Sequence, residues 1–158
     1  MGSKFFRTHI QQGAKRKLLD YQKRLIEKHF DFLKCRIEKN VLICVGYITS
    51  QDYINKYKVE IRYVAGHEPC STILEPADIT PCREIHMYDN HSLCLHFTED
   101  MKWTGHTLIY KHTIPWVVEW THFYELYLVN GGYWEGPESP VHFTENDKNR
   151  NEDFEEAH

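Results

Sequence analysis

The sequence predicts an α+β domain: one amphipathic helix, an antiparallel meander of about four strands, a long loop, and closing helices. Three observations carry this expectation. Apolar residues recur at spacings of three and four before Cys35, they recur at a spacing of two from Val41 to Tyr63, and helical spacing returns at Thr113. With 158 residues, 41% of them hydrophobic, the chain has enough apolar material for one packed domain and is too short for two comfortable ones. Residues 1–143 are read as that domain and 144–158 as an acidic tail.

Between Lys15 and about Leu33, Leu18, Leu25 and Phe32, with Tyr21, Ile26 and Phe30 beside them, keep a helical period. Arg16, Lys17, Lys23, Arg24, Glu27 and Lys28 fill the other positions, so one side should lie on a core and a mostly basic side should face water. A solvated face is the ordinary reading of such charges, ahead of a partner-docking surface. After Cys35 to Glu38, the pair Lys39-Asn40 can turn the chain into Val41 to Ile48, apolar on both alternating faces as a central strand is. Tyr57, Val59, Ile61 and Tyr63 alternate with Lys58, Glu60 and Arg62, which describes a strand with one buried and one wet face. A shorter strand, Ser71 to Leu74, follows the turn at Gly66 to Pro69.

Glu75 to Lys111 has no sustained period and reads as a long loop, the kind that usually carries function. A helix is expected from Thr113, with Thr113 as its cap and Pro115 in its first turn. Trp116, Trp120, Phe123 and Tyr127 fall on one helical stripe, which is more often core than a ligand box, and Asn130-Gly131-Gly132 ends the helix by offering left-handed conformations. The tail after Thr144 has six acidic and two basic residues, and disorder is its default description.

That tail accounts for the net charge of −4, because the body holds 17 residues of each sign. A balanced body offers no basic stripe to a phosphate backbone, so nucleic-acid binding is not expected. Cys35, Cys44, Cys70, Cys82 and Cys94 are an odd set without a CxxC pair or a secretory leader, which reads as a cytoplasmic protein with reduced thiols. Met1-Gly2 does not make a myristoylation signal, since Phe6 stands where Ser or Thr is required. The longest early uncharged run, Val41 to Gln51, is about half of a bilayer span, and no membrane segment is expected.

The chemistry concentrates in His86-Met87-Tyr88-Asp89-Asn90-His91-Ser92-Leu93-Cys94-Leu95-His96. Cys94 could be a nucleophile, since a thiolate is intrinsically reactive near neutral pH. It could equally be a buried structural residue between two leucines. Cys82, His86, His91, Cys94 and His96 could hold zinc, although their spacing lacks a knuckle pair. A Cys-His hydrolase would need an imidazole at the sulfur and a third residue to orient it.

A helix, a four-stranded meander, and a loop with a histidine shortly before an aliphatic-Cys-Leu triplet resembles the ubiquitin-conjugating enzymes. His86 followed by Leu93-Cys94-Leu95 is similar to the histidine of that family's His-Pro-Asn signature and its active-site cysteine. Trp103, Ile114-Pro115-Trp116, Glu119-Trp120, Phe123-Tyr124-Glu125 and the Tyr133-Trp134-Glu135-Gly136 to Pro140-Val141-His142 ending resemble bacterial ubiquitin-conjugating-like proteins of cyclic-oligonucleotide-based antiphage signalling (CBASS) operons, in the short type without a separate activating enzyme.

The resemblance implies a cysteine-dependent acyltransferase. Cys94 would carry, as a thioester, the C-terminus of a partner, the cyclic-nucleotide synthase of the same operon, and His86 would organise the loop. No cofactor is implied. A catalytically inactive binding module that regulates the synthase is the alternative. Met87-Tyr88 follow the histidine in place of Pro-Asn, so the oxyanion role falls to Asn90 or to backbone amides. Asn90 is otherwise an ordinary turn residue. His91 and His96 would tune the thiol or face water, and His142 receives no role.

Overall fold

The computed structural model describes residues 3–95, 103–104 and 106–137. Helix α1 spans Ser3–His29, strands β1 to β4 span Leu33–Glu38, Val41–Ile48, Tyr57–Val64 and Cys70–Glu75, and helix α2 spans Thr113–Val129. The four strands form one antiparallel sheet in chain order, as the alternation predicts. The acidic tail and any further closing helix lie outside the described residues, where one helix follows the sheet. No helix among them is long and apolar enough to cross a membrane.

Helix α1 starts well before Lys15 and stops before Leu33. The chain turns at Phe30 to Leu33, and Leu33 pairs with Gly46 as the first residue of β1. The deepest row on α1 is Leu19, Gln22 and Ile26, one position round from the Leu18 and Leu25 row, while Tyr21 is exposed. Gln22 is fully buried because both ends of its amide are used: Nε2 donates to the Thr107 carbonyl at 2.9 Å and Oε1 accepts from the Ile109 amide at 3.1 Å. A glutamine inside the core thereby ties α1 to the loop that leads into α2.

Lys39 and Asn40 both have positive φ, 48° and 63°, the backbone of a two-residue hairpin turn whose twist matches the flanking strands. Strand β2 is paired on both sides, which is why Ile43 and Cys44 are both buried although they point to opposite faces. Strand β3 sends Tyr57, Val59, Ile61 and Tyr63 into the core. Each such side chain contributes about 1.5 to 3 kcal/mol relative to exposure. Gly46 sits where a Cβ would collide with the Phe32 carbonyl and press on the Leu33 Cα at 3.2 Å, so the backbone crossing at the end of α1 requires glycine there.

Helix α2 begins at Thr113 with His112 at the cap position and no side-chain cap hydrogen bond, so the expected Thr113 cap is corrected to a buried first helical residue. Pro115 takes its place in the first turn, where its missing N–H costs no helical bond. At the other end Gly131 and Gly132 adopt φ of 86° and 87°, and the Gly132 amide donates to the Tyr127 carbonyl at 3.0 Å.

Along the aromatic stripe Trp120 and Tyr124 are buried and stacked, with centroids 5.0 Å apart, and both meet the edge of Tyr57 from β3. Glu125 lies in the same buried layer. Its carboxylate accepts the Tyr57 hydroxyl at 2.6 Å and the amides of Ile54 and Asn55 at 2.7 and 3.0 Å, so the charge is held by three donors.

Two stability predictions follow from these close contacts. Gly46→Ala lowers stability by about 2 kcal/mol or more, because the obstructing atom belongs to backbone. Glu125→Ala strands three donors and costs about 3 kcal/mol, with Glu125→Gln losing less. Urea denaturation reads both as a lower midpoint at unchanged slope.

Candidate active site

The segment after β4 folds back on the sheet as a small hairpin. Its inner arm pairs Ser92 with Thr72 of β4, with bonds from the Ile73 amide to the His91 carbonyl at 3.0 Å and from the Leu93 amide to the Ser71 carbonyl at 2.8 Å. Met87 pairs with Leu93 on the other side, flanked by bonds from Tyr88 N–H to the Ser92 carbonyl at 2.9 Å and from Cys94 N–H to the His86 carbonyl at 2.8 Å. Cys94 thus follows directly on a short strand held from both edges. Part of the expected long loop is therefore a continuation of the sheet.

His86 and His91 occupy the left-handed region, at φ 55° and 65°, a conformation that costs a non-glycine residue of order 1 kcal/mol. Their positions mark the bend into the hairpin and the end of its turn. Asn90 serves that turn: its Oδ1 accepts the Ser92 amide at 3.0 Å and the Ser92 hydroxyl at 2.6 Å. Among the described residues, neither Asn90 nor His91 lines a cavity with Cys94. His96 and His142 lie outside the described residues.

His86 is buried, and it meets Cys94 through its own carbonyl. Its ring packs edge-on against Trp134, centroids 5.5 Å apart. Trp120 anchors the preceding residue, its indole N–H donating to the Ile85 carbonyl at 2.6 Å. The helix stripe therefore packs the core and also fixes the backbone that receives Cys94.

Cys94 is 4% exposed, so its thiol is buried rather than displayed on the surface of a loop. It forms a shared wall between two spaces. One is an open cleft of about 220 Å³ that also involves Cys70, Tyr88, Ser92, Trp103, Thr113 and Trp116. The other is a pocket of about 10 Å³, too small for a ligand, closed by His86, Trp120, Phe123 and Trp134. Trp116, expected in the core stripe, is half-buried and faces the cleft.

The cleft carries one described charged group, Glu68, and no described cation. Thr113, the first residue of α2, borders the cleft, and the first turn of that helix has no acidic residue. The approach of α2 to this cleft was not legible in the sequence, because it depends on packing across residues far apart in the chain.

Cys44 is the contrasting thiol. A thiol–thiol hydrogen bond with its cross-strand neighbour Cys35, and burial after that, push its pKa far up, so it stays protonated and inert. Among the described residues no three His, Cys, Asp or Glu side chains gather to hold a metal ion, so the zinc reading of Cys82, His86, His91 and Cys94 gains no support.

An N-terminal helix, a four-stranded meander, a cysteine on the segment that follows and an aromatic helix closing beside it define the class of ubiquitin-conjugating-like proteins. A model of the family described as Type II CBASS E2 protein matches residues 22–142. The chain belongs to that family, and its role is that of a ubiquitin-conjugating-like protein in a CBASS antiphage system. A search of curated proteins finds no significant match.

Loss of the indole donor is expected to loosen the cysteine's surroundings. Trp120→Phe keeps a ring in the stack but leaves the Ile85 carbonyl without its bond, which costs about 1 to 2 kcal/mol. Under native conditions, iodoacetamide should then modify Cys94 faster than in the wild type while Cys44 stays unreactive; equal rates at Cys94 would show that the bond does not hold the site.

Proposed function

We propose that this protein is a cysteine-dependent acyltransferase that takes the C-terminal carboxyl of the partner cyclic-nucleotide synthase onto Cys94 as a thioester. The observation that carries the reading is the position of Leu93-Cys94-Leu95, inside the family match and on the wall of an open cleft that Thr113 of α2 also borders.

The Cys94 thiolate adds to the carbonyl carbon of the activated C-terminal acyl group. The tetrahedral oxyanion collapses as the activating group leaves, and the acyl group remains on sulfur. An amine then attacks the thioester and returns the thiol. Sulfur suits this position because a thioester stays reactive toward nitrogen, whereas an oxygen ester is a poorer donor. The oxyanion needs oriented donors more than a strong base, and loss of one donor typically costs about 10² to 10³ in rate. Asn90 is an unsuitable donor for it, because its side chain is fixed in the turn by the two bonds that Oδ1 accepts and it does not line the cleft. His86 acts on the site as a positioning residue, through the carbonyl that receives the Cys94 amide.

The low exposure of Cys94 favours a second reading, a binding module that kept the fold and lost the chemistry. Co-expression with the synthase followed by mass spectrometry separates the two. Acyl transfer predicts a hydroxylamine-labile adduct on the Cys94 peptide, a stable ester with Cys94→Ser and no adduct with Cys94→Ala. Complex formation without any adduct would support the binding module, and an adduct on another cysteine would overturn the site assignment.

A further inference from the structure

We propose that Cys70 and Cys94 form a reversible disulfide across the cleft, so that oxidation closes the site and reduction reopens it. The bond itself depends only on the two thiols; its consequence as regulation rests on the acyl-transfer reading above.

Register is the first observation. Thr72 pairs with Ser92 in antiparallel sense, and the Leu93 amide reaches the Ser71 carbonyl at 2.8 Å. Continuing that register by one residue beyond the Ser71–Leu93 bond would bring Cys70 opposite Cys94, on the side of the ladder that carries Thr72 and Ser92. The Cys70 thiol lies 4.0 Å from the Thr72 hydroxyl, as expected for residues sharing that face. Facing residues in a pair of this type have Cα atoms about 4.5 Å apart, within the roughly 4.4 to 6.8 Å that a disulfide spans.

Shared space is the second observation. Both cysteines contribute to the wall of the same open cleft, so their sulfurs can approach without displacing core. Their exposures differ: Cys70 is exposed and Cys94 is 4% exposed. An oxidant therefore meets Cys70 first. The Cys70 thiolate attacks one oxygen of hydrogen peroxide and becomes a sulfenic acid, and hydroxide leaves to become water on protonation. The Cys94 thiolate then attacks the sulfenic sulfur, a second hydroxide leaves, and the disulfide forms. Two thiols give up two electrons and two protons, and peroxide is reduced to two waters. A dithiol reductant reverses the bond by exchange.

The experiment treats the purified full chain with hydrogen peroxide, alkylates the remaining thiols after denaturation, and maps linked peptides, with fragment ions separating Cys70 from Cys82. The expected product is a Cys70–Cys94 link cleaved by dithiothreitol, with native alkylation of Cys94 falling to background and returning on reduction. Cys70→Ser should keep Cys94 alkylatable after the same treatment, and Cys35→Ser should still form the link. Linkage only between Cys35 and Cys44, linkage of Cys94 to Cys82, or equal blocking of Cys94 in Cys70→Ser would overturn the proposal. The adduct assay keeps the two readings apart. A link without any acyl adduct removes the transferase reading alone, and an acyl adduct without a link removes the disulfide alone.

Discussion

The position of Cys94 depends on a short run of backbone hydrogen bonds that extends the sheet beyond β4. The Leu93 amide on the Ser71 carbonyl and the Cys94 amide on the His86 carbonyl hold one segment from two sides. Backbone pairing of this kind is stiff because each bond limits its neighbours, and the Trp120 indole on the Ile85 carbonyl adds a side-chain anchor from the opposite layer. The left-handed backbone at His86 and His91 is tolerated because the hairpin gains these bonds in return. The proposed role of Cys94 as nucleophile would draw on this restraint, since a sulfur free to wander would meet an acyl carbon in the right orientation only rarely.

The same logic of satisfied polar groups joins the remaining layers. Gln22 spends its amide on the backbone at Thr107 and Ile109, and Glu125 spends its carboxylate on two amides and the Tyr57 hydroxyl. Each residue is polar, buried and fully engaged, so desolvation is compensated and the connecting segments acquire one geometry. Apolar packing alone would hold the helices near the sheet with less control over register. The two polar anchors locate the segments before β3 and before α2, and the second of these borders the cleft.

The five cysteines show how strongly surroundings divide one chemical group. Cys44 is kept protonated by its bond to Cys35 and by burial, whereas Cys94 stands on the wall of an open cleft. Cys70, on the edge strand, is the thiol that solvent reaches most freely among those facing that cleft. Reactivity follows thiolate fraction and access, so these environments assign different chemistry to identical side chains.

By itself the sequence determined the order of elements, the two-residue turn at Lys39-Asn40, the one-sided burial of β3 and the stop at Asn130-Gly131-Gly132, because local period and turn chemistry are properties of neighbours along the chain. It misplaced the ends of α1 and the cap of α2, where pairing of Leu33 with Gly46 and burial of Thr113 override local preference. Only the tertiary structure decided that Gln22 and Glu125 are interior, that Asn90 serves a turn, that Trp116 faces the cleft while Trp120 faces the core, and that Cys70 and Cys94 line one cleft. These outcomes come from contacts between residues distant in sequence, and one face of a helix or one edge of a strand acquires its neighbours only when the layers have closed.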